Sequence, residues 1–255
     1  MDQATTALRA EGVIKRFTRE GGTPLPVLDG FGIELFENEV FCLLGPSGCG
    51  KSTALKVLAG LEDADEGRIL LKGRPVSGPG PDRSVVFQDD AVFPWLTVRQ
   101  NIEYGPRSMK VERRRMDAIV DEFLTLTGLM QFADYFPKQL SGGMRKRVDL
   151  ARAYATSPTV LFMDESFGSL DVITKEQMQL ELLRLKERGR MTVLFVTHDI
   201  EEAIFVGNRI GIMQRGGGRI MELIEVPFGA DRDRMLRMTP EFQELRRRIY
   251  EAIAE

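Results

Sequence analysis

The segment Gly45-Pro46-Ser47-Gly48-Cys49-Gly50-Lys51-Ser52-Thr53 places glycines, a lysine and hydroxyls in the spacing G-x-x-x-x-G-K-[ST]. Glycines let backbone N–H groups converge on phosphate oxygens, and a helix that starts there adds partial positive charge. Lys51 is placed to reach the β- and γ-phosphates of a nucleotide, and Ser52 to ligate Mg²⁺. The motif follows the apolar run Val40–Leu44 and opens a helical pattern, the context that gives it meaning. The alternative is a glycine-rich strand–helix turn with a surface lysine.

Three further places carry reactive side chains. Asp164-Glu165 ends an apolar run; one carboxylate there can hold Mg²⁺ and its neighbour can accept a proton from water, or the pair is a helix cap and a solvated acid. His198, the only histidine, ends another such run before Asp199 and is either a γ-phosphate contact or satisfied by local hydrogen bonds. Gln88 follows a third run and can ligate Mg²⁺ or orient water, unless it is an ordinary loop glutamine. A second anion site is suggested at Leu140-Ser141-Gly142-Gly143-Met144. There Ser141 can cap a helix whose first turns carry Arg145, Lys146 and Arg147, where the macrodipole disfavours cations. A solvated basic face is the competing reading.

The elements that must position these groups are legible as patterns. Residues 40–44, 85–87, 160–163 and 193–196 are apolar without alternation, as in strands of a parallel sheet buried on both faces. Each is followed at once by polar or glycine residues, so all four point at one sheet edge, where open α/β sheets bind ligands. Helical patterns cover residues 52–59, ended by Gly60, residues 111–127, ended by Gly128, and residues 173–188, ended by Gly189; others start at Ser141 and after the cap Asp199. The first 35 residues and residues 68–72 and 209–225 read as antiparallel strands, the last with a hairpin turn at Gly216-Gly217-Gly218. Asn38 stands in a turn and tolerates a left-handed backbone. Residues 89–158 lack a buried-strand run and read as a helical insertion. In the tail, Thr239 caps a helix with Pro240 at its first position, and Phe242, Leu245, Ile249 and Ile253 form one apolar stripe. That stripe covers either its own core or a partner.

Composition narrows the function. The chain has 255 residues, 35 basic and 38 acidic side chains and a formal net charge of −3, which argues against nucleic-acid binding by bulk electrostatics. Two cysteines, Cys42 and Cys49, build neither a disulfide framework nor an all-cysteine zinc site. No apolar run approaches the roughly 18 residues of a bilayer span, and the start has no apolar signal region, so a cytosolic globular protein is expected.

Taken in order, GPSGCGKST, VVFQDD, LSGGM, VLFMDESFGSLD and VTHD resemble the ATP-binding subunit of an ABC transporter, over nearly the whole chain. The stretches GPGPDRSVVFQDDAVFPWLTVRQNI and LSGGMRKRV look like the nitrate/sulfonate/taurine branch of bacterial importers. The resemblance implies an α/β fold: a P-loop NTPase (RecA-like) core with an antiparallel β subdomain at residues 1–88 and 159–226, a helical subdomain carrying LSGG at 89–158, and a C-terminal helical tail at 227–255.

It also implies roles. ATP and Mg²⁺ are the expected ligands of a head-to-tail homodimer. Gly45 to Thr53 of one protomer would hold the phosphates while Ser141, Gly142 and Gly143 of the other complete the cage. Phe17 stands where the family stacks an aromatic on adenine, and Asp171 matches its D-loop. Ser52, Gln88 and Asp164 would organise Mg²⁺, Glu165 would polarise the attacking water, and His198 would contact the γ-phosphate. Transmembrane permease subunits are the expected partners, with a periplasmic or extracellular solute-binding protein acting indirectly and no nucleic acid. The protein would sit peripherally on the cytoplasmic side of the cell membrane. Phe93-Pro94-Trp95-Leu96 either receives a coupling helix of the membrane subunit or packs internally. Met144 departs from the family's usual Gln, and Ser166 from the Pro that usually follows the glutamate. A regulatory ATP-binding partner and a non-transport ABC ATPase are the alternatives.

Overall fold

The computed structural model describes residues 5–18, 24–89, 91–168, 170–189, 191–229 and 231–254. Residues 1–4 of the amino-terminal segment, Asp90 of the loop after Gln88 and Ser169 of the turn before Asp171 lie outside the described residues.

In chain order the elements are β1 (Thr6–Thr18), β2 (Pro24–Phe36), β3 (Val40–Leu44), α1 (Lys51–Ala59), β4 (Glu66–Leu71), β5 (Arg74–Pro75), β6 (Arg83–Val86), α2 (Val98–Ser108), α3 (Arg113–Leu126), α4 (Gly142–Tyr154), β7 (Val160–Asp164), α5 (Val172–Gly189), β8 (Thr192–Thr197), α6 (Ile200–Val206), β9 (Arg209–Met213), β10 (Ile220–Glu225) and α7 (Pro240–Ala254).

The central sheet has the order β10-β9-β3-β8-β7-β6, with β10 antiparallel and the rest parallel. The four apolar runs are its strands β3, β6, β7 and β8. Alternation along each strand divides the side chains between two cores. Val40, Cys42, Leu44, Leu161, Met163, Val193 and Phe195 face the layer of α5, α6 and α7. Phe41, Leu43, Val160, Phe162, Leu194 and Val196 face α1 and the second sheet. That sheet is antiparallel, in the order β2-β1-β4-β5.

Residues 209–225 correct the expectation of a purely antiparallel segment. They form the hairpin β9–β10 turned at Gly216-Gly217-Gly218, but β9 pairs in parallel with β3 and extends the central sheet. A hairpin motif shows the pairing of its two strands and says nothing about which distant strand its open edge meets. Asn38 is left-handed, with φ of 63°.

The insertion is helical, with a core of its own from α2, α3 and α4: Val98, Ile102, Met116, Val120, Leu124, Val148 and Ala151. Helix α2 has no counterpart in the pattern reading, because Gly105 and Pro106 mask its period. Its signal was a capping box: the Thr97 hydroxyl accepts from Gln100 N–H while the Gln100 side chain accepts from Thr97 N–H. The tail stripe covers the chain's own core. Phe242, Leu245 and Ile249 are buried there, and Phe242 stacks on Phe228 at 6.0 Å.

Candidate functional site

The adjacent strands β3, β8, β7 and β6 bring the phosphate loop, His198, Asp164-Glu165 and Gln88 to one sheet edge. The loop's backbone is left-handed at Gly48 and Gly50, with φ of 80° and 106°. A Cβ on Gly50 would also meet the Val27 carbonyl oxygen of β2 at 2.9 Å, so the close passage of β2 demands glycine. No side chain caps α1, which leaves its first amides open to an anion. Lys51 is buried with its ammonium donating to the Gly45 and Pro46 carbonyls at 2.7 and 3.0 Å. Burial pushes the Cys49 thiol up against the opposing pull of Lys51, so it stays a neutral packing group.

Ser52 Oγ donates to Asp164 Oδ1 at 3.1 Å, across the cleft between α1 and β7. Burial pushes the Asp164 carboxyl above its usual range; Ser52 opposes this and Glu165 adds to it. A hydroxyl and a desolvated carboxylate side by side are hard oxygen donors that fit Mg²⁺. Gln88 is exposed just beyond β6.

Glu165 adopts the left-handed region with φ of 41°, a strain of order 1–3 kcal/mol for a residue with a Cβ. Its N–H donates to the Val196 carbonyl of β8 at 2.9 Å, and its own carbonyl accepts from Gly168 at 3.1 Å. The turn thereby aims the carboxylate at the next strand, where Glu165 Oε2 is 3.1 Å from His198 Nδ1. Ser166 is buried, and its hydroxyl donates to the Val86 carbonyl of β6 at 3.2 Å. The departure from proline therefore supplies a bond between the glutamate's turn and the strand that leads to Gln88.

The LSGG helix is α4. Ser141 caps it by accepting from Met144 N–H at 3.3 Å. A Cβ on Gly143 would meet Thr174 Cγ2 at 2.5 Å, so glycine lets α4 approach the first turn of α5. That turn is closed by Asp171, whose Oδ1 accepts from Thr174 N–H at 3.1 Å. Among the described residues no hydrogen bond or ion pair links Ser141, Gly142 or Gly143 to the phosphate loop.

The basic run of α4 has internal partners, which corrects the argument from it to a nearby anion. Lys146 is buried and donates to the Phe87 carbonyl at 2.6 Å, with Asp149 at 3.7 Å. Arg145 donates to the Leu140 carbonyl at 2.9 Å, and Arg147 to Gln177 at 3.3 Å. The Lys-x-x-Asp spacing was the available signal that Lys146 is paired within its own helix.

Two further aromatic sites stand at the end of β1 and in the loop between β6 and α2. Phe17, at the end of β1, is partly exposed with Lys15 Nζ 5.3 Å from its ring centre. Trp95 is 69% exposed, which corrects the internal-packing alternative. It stands 5.6 Å from Phe93, which also meets Tyr104 at 4.6 Å. The loop is held rigid by buried Asn101, which bonds Phe93 N–H at 2.8 Å and the Leu96 and Thr97 carbonyls at 3.1 and 2.9 Å.

No helix among the described residues is long and apolar enough to cross a membrane. A family model described as ABC transporter matches residues 28–168. An ATP-binding protein of Brucella abortus is 46% identical over 89% of this chain and 87% of its own length. The taurine import ATP-binding protein of Rhizobium johnstonii is 42% identical over 91% of each chain. The structure of a dimeric ATP-binding cassette in a post-hydrolysis state, bound to ADP and Pi, superposes with a TM-score of 0.75 at 28% identity, covering 87% of this chain and all of that one.

Proposed function

We propose, from the premise that this chain belongs to the ABC transporter family and hydrolyses ATP, that it is the motor subunit of a bacterial importer for taurine, a sulfonate, nitrate or a related small solute. The observation that carries the catalytic reading is the convergence of Ser52–Asp164 and Glu165–His198 beside the open amides of α1. The similarity to a taurine import protein supports the solute class.

In this reading the amides of residues 45–53 and the Lys51 ammonium hold the nucleotide's phosphates; Lys51 exchanges its Gly45 and Pro46 carbonyls for phosphate oxygens. Ser52, Asp164 and Gln88 hold Mg²⁺, whose contribution is to neutralise phosphate charge. Glu165 accepts a proton from the attacking water, and His198 contacts the γ-phosphate. Phe17 stacks on adenine. Ser141, Gly142 and Gly143 of a second copy close the cage over the nucleotide, and Asp171 lies at the same junction. ATP favours the closed dimer because only the closed state offers both sets of contacts.

The working division of the chain is a nucleotide-binding body at 1–88 and 159–226, a helical body at 89–158 and the tail at 227–255. The loop carrying half-buried Phe93 and exposed Trp95 suits an apolar segment of a transmembrane permease subunit, and that reading takes the protein to be peripheral on the cytoplasmic face. A solute-binding protein would act through that permease.

Affinity capture of the tagged chain from detergent-solubilised native membranes tests the reading. An integral-membrane subunit whose presence raises ATP turnover is expected. Recovery with soluble partners alone, and turnover indifferent to membrane, would overturn it in favour of a non-transport ATPase.

A further inference from the structure

His198 lies in the two-residue loop between β8 and α6, and both of its neighbours are held by side chains. Thr197 Oγ1 accepts the Asp199 N–H at 3.0 Å and donates to Glu202 Oε2 at 2.7 Å. Asp199 Oδ1 caps α6 by accepting from Glu201 and Glu202 N–H at 2.9 and 3.2 Å. Glu202 and Thr197 are buried, at 4% and 1% exposure. The cation that meets both acids comes from another element: Lys175 Nζ is 3.0 Å from Glu202 Oε1 and 3.5 Å from Asp199 Oδ2. Burial pulls the Lys175 ammonium toward neutrality, but Glu202 and Asp199 outweigh it and hold the group charged.

Lys175 belongs to the first turn of α5, and its N–H donates to the Asp171 carbonyl at 2.8 Å. The Asp171 carboxylate closes the same turn through Thr174, the residue against which Gly143 packs. One charged link therefore runs from the Asp171 turn, which abuts the LSGG helix, to both residues flanking the histidine.

We infer that Lys175 is a positioning residue for His198: it bridges Asp199 and Glu202 and so sets the imidazole's loop according to the position of the Asp171 turn. The inference rests on the reading of His198 as the γ-phosphate contact. Without Lys175, the buried Glu202 carboxylate keeps, among the described residues, the Thr197 hydroxyl as its side-chain partner, an arrangement that relaxes by displacing the loop.

The chain's single histidine makes the test direct, since its imidazole gives one set of NMR resonances. Lys175→Met is expected to shift the His198 ring resonances and to lower kcat about tenfold or more while leaving the KM for ATP within about twofold. Lys175→Arg keeps the charge and the reach, and restores kcat to within about threefold of wild type. Adding Glu202→Gln to Lys175→Met removes the buried charge. It raises Tm above that of the single variant without restoring kcat, and it carries the comparison if the single variant is too unstable to assay. Unmoved resonances with wild-type kcat, or kcat recovering together with Tm in the double variant, would reduce Lys175 to a stabilising ion pair. The resonance shift is read without turnover, so it stands apart from failure of the His198 reading, which full hydrolysis by His198→Ala would reveal.

Discussion

His198 Nδ1 lies 3.1 Å from Glu165 Oε2, which brings the groups at the ends of β8 and β7 side by side. A neutral imidazole has a single N–H to donate. A phosphate oxygen needs a donor, so whichever ring nitrogen meets the γ-phosphate must carry that proton. The carboxylate beside Nδ1 and the γ-phosphate therefore compete for the one proton of a neutral His198. His198→Ala should accordingly cripple hydrolysis, with kcat down about 100-fold or more and nucleotide affinity largely kept. Normal turnover in that variant would return the residue to a local hydrogen-bonding role.

Glu165→Gln keeps the shape of the side chain beside His198 but cannot take a proton from water. Turnover should fall at least about 100-fold with ATP binding retained. The unhydrolysed nucleotide should also trap a dimer, read by size-exclusion chromatography with ATP present. Steady-state hydrolysis at the wild-type rate would remove the general base from this position.

Asp164 offers a test in which stability and function move in opposite directions. Burial raises its carboxyl above the usual range. A carboxyl raised in the folded state binds its proton more tightly folded than unfolded, so its contribution to stability falls as pH rises through the folded value. At pH 7 the ionised side chain destabilises the nucleotide-free protein. Asp164→Asn should raise the Tm of that form at pH 7, with the gain shrinking as pH is lowered into the carboxylate range. The same variant should lose most of the Tm increase that Mg²⁺ with ATP gives the wild type. A lower Tm at pH 7 would show that the Ser52 bond outweighs burial.

The sheet edge was legible in the sequence because its causes are local. A strand buried on both faces shows as an unbroken apolar run, and the phosphate loop shows as glycine spacing; Val40–Leu44 and Gly45 to Ser52 carry both signals. What was not legible depends on residues far away in the chain. The edge that β9 joins is set by β3, more than 160 residues earlier. The burial of Lys146 depends on the Phe87 carbonyl, and the exposure of Trp95 on how Asn101 anchors its loop. The Lys175 link joins two helices whose sequences show only ordinary charged first turns.

Ser166 separates structure from habit at the position after the glutamate. Its hydroxyl satisfies the Val86 carbonyl at 3.2 Å in a buried site. Ser166→Ala leaves that carbonyl short of a partner, at a cost of about 1–2 kcal/mol. The expected fall in Tm is about 2–6 °C. Because the bond ties the Glu165 turn to β6, kcat should drop while ATP binding holds. An unchanged Tm would show that the bond is replaced by water.

Trp95 combines wide exposure with a rigid support, which is the arrangement of a recognition surface rather than of a core. Truncating it removes little packing, since 69% of the residue already meets solvent. Trp95→Ala should therefore leave Tm within about 2 °C of wild type, the range of a surface substitution. ATP hydrolysis by the isolated protein should persist, because among the described residues no hydrogen bond, ion pair or ring contact joins Trp95 to Lys51, Glu165 or His198. Assembly with the membrane subunit should weaken, since exposed aromatics of this kind supply the central contacts of interfaces. The measurement is co-purification of that subunit with wild-type and variant protein at matched concentration, alongside solute uptake in cells. Unchanged assembly and uptake would remove the aromatic loop from the interface and leave Phe93 and Tyr104 as its local packing partners.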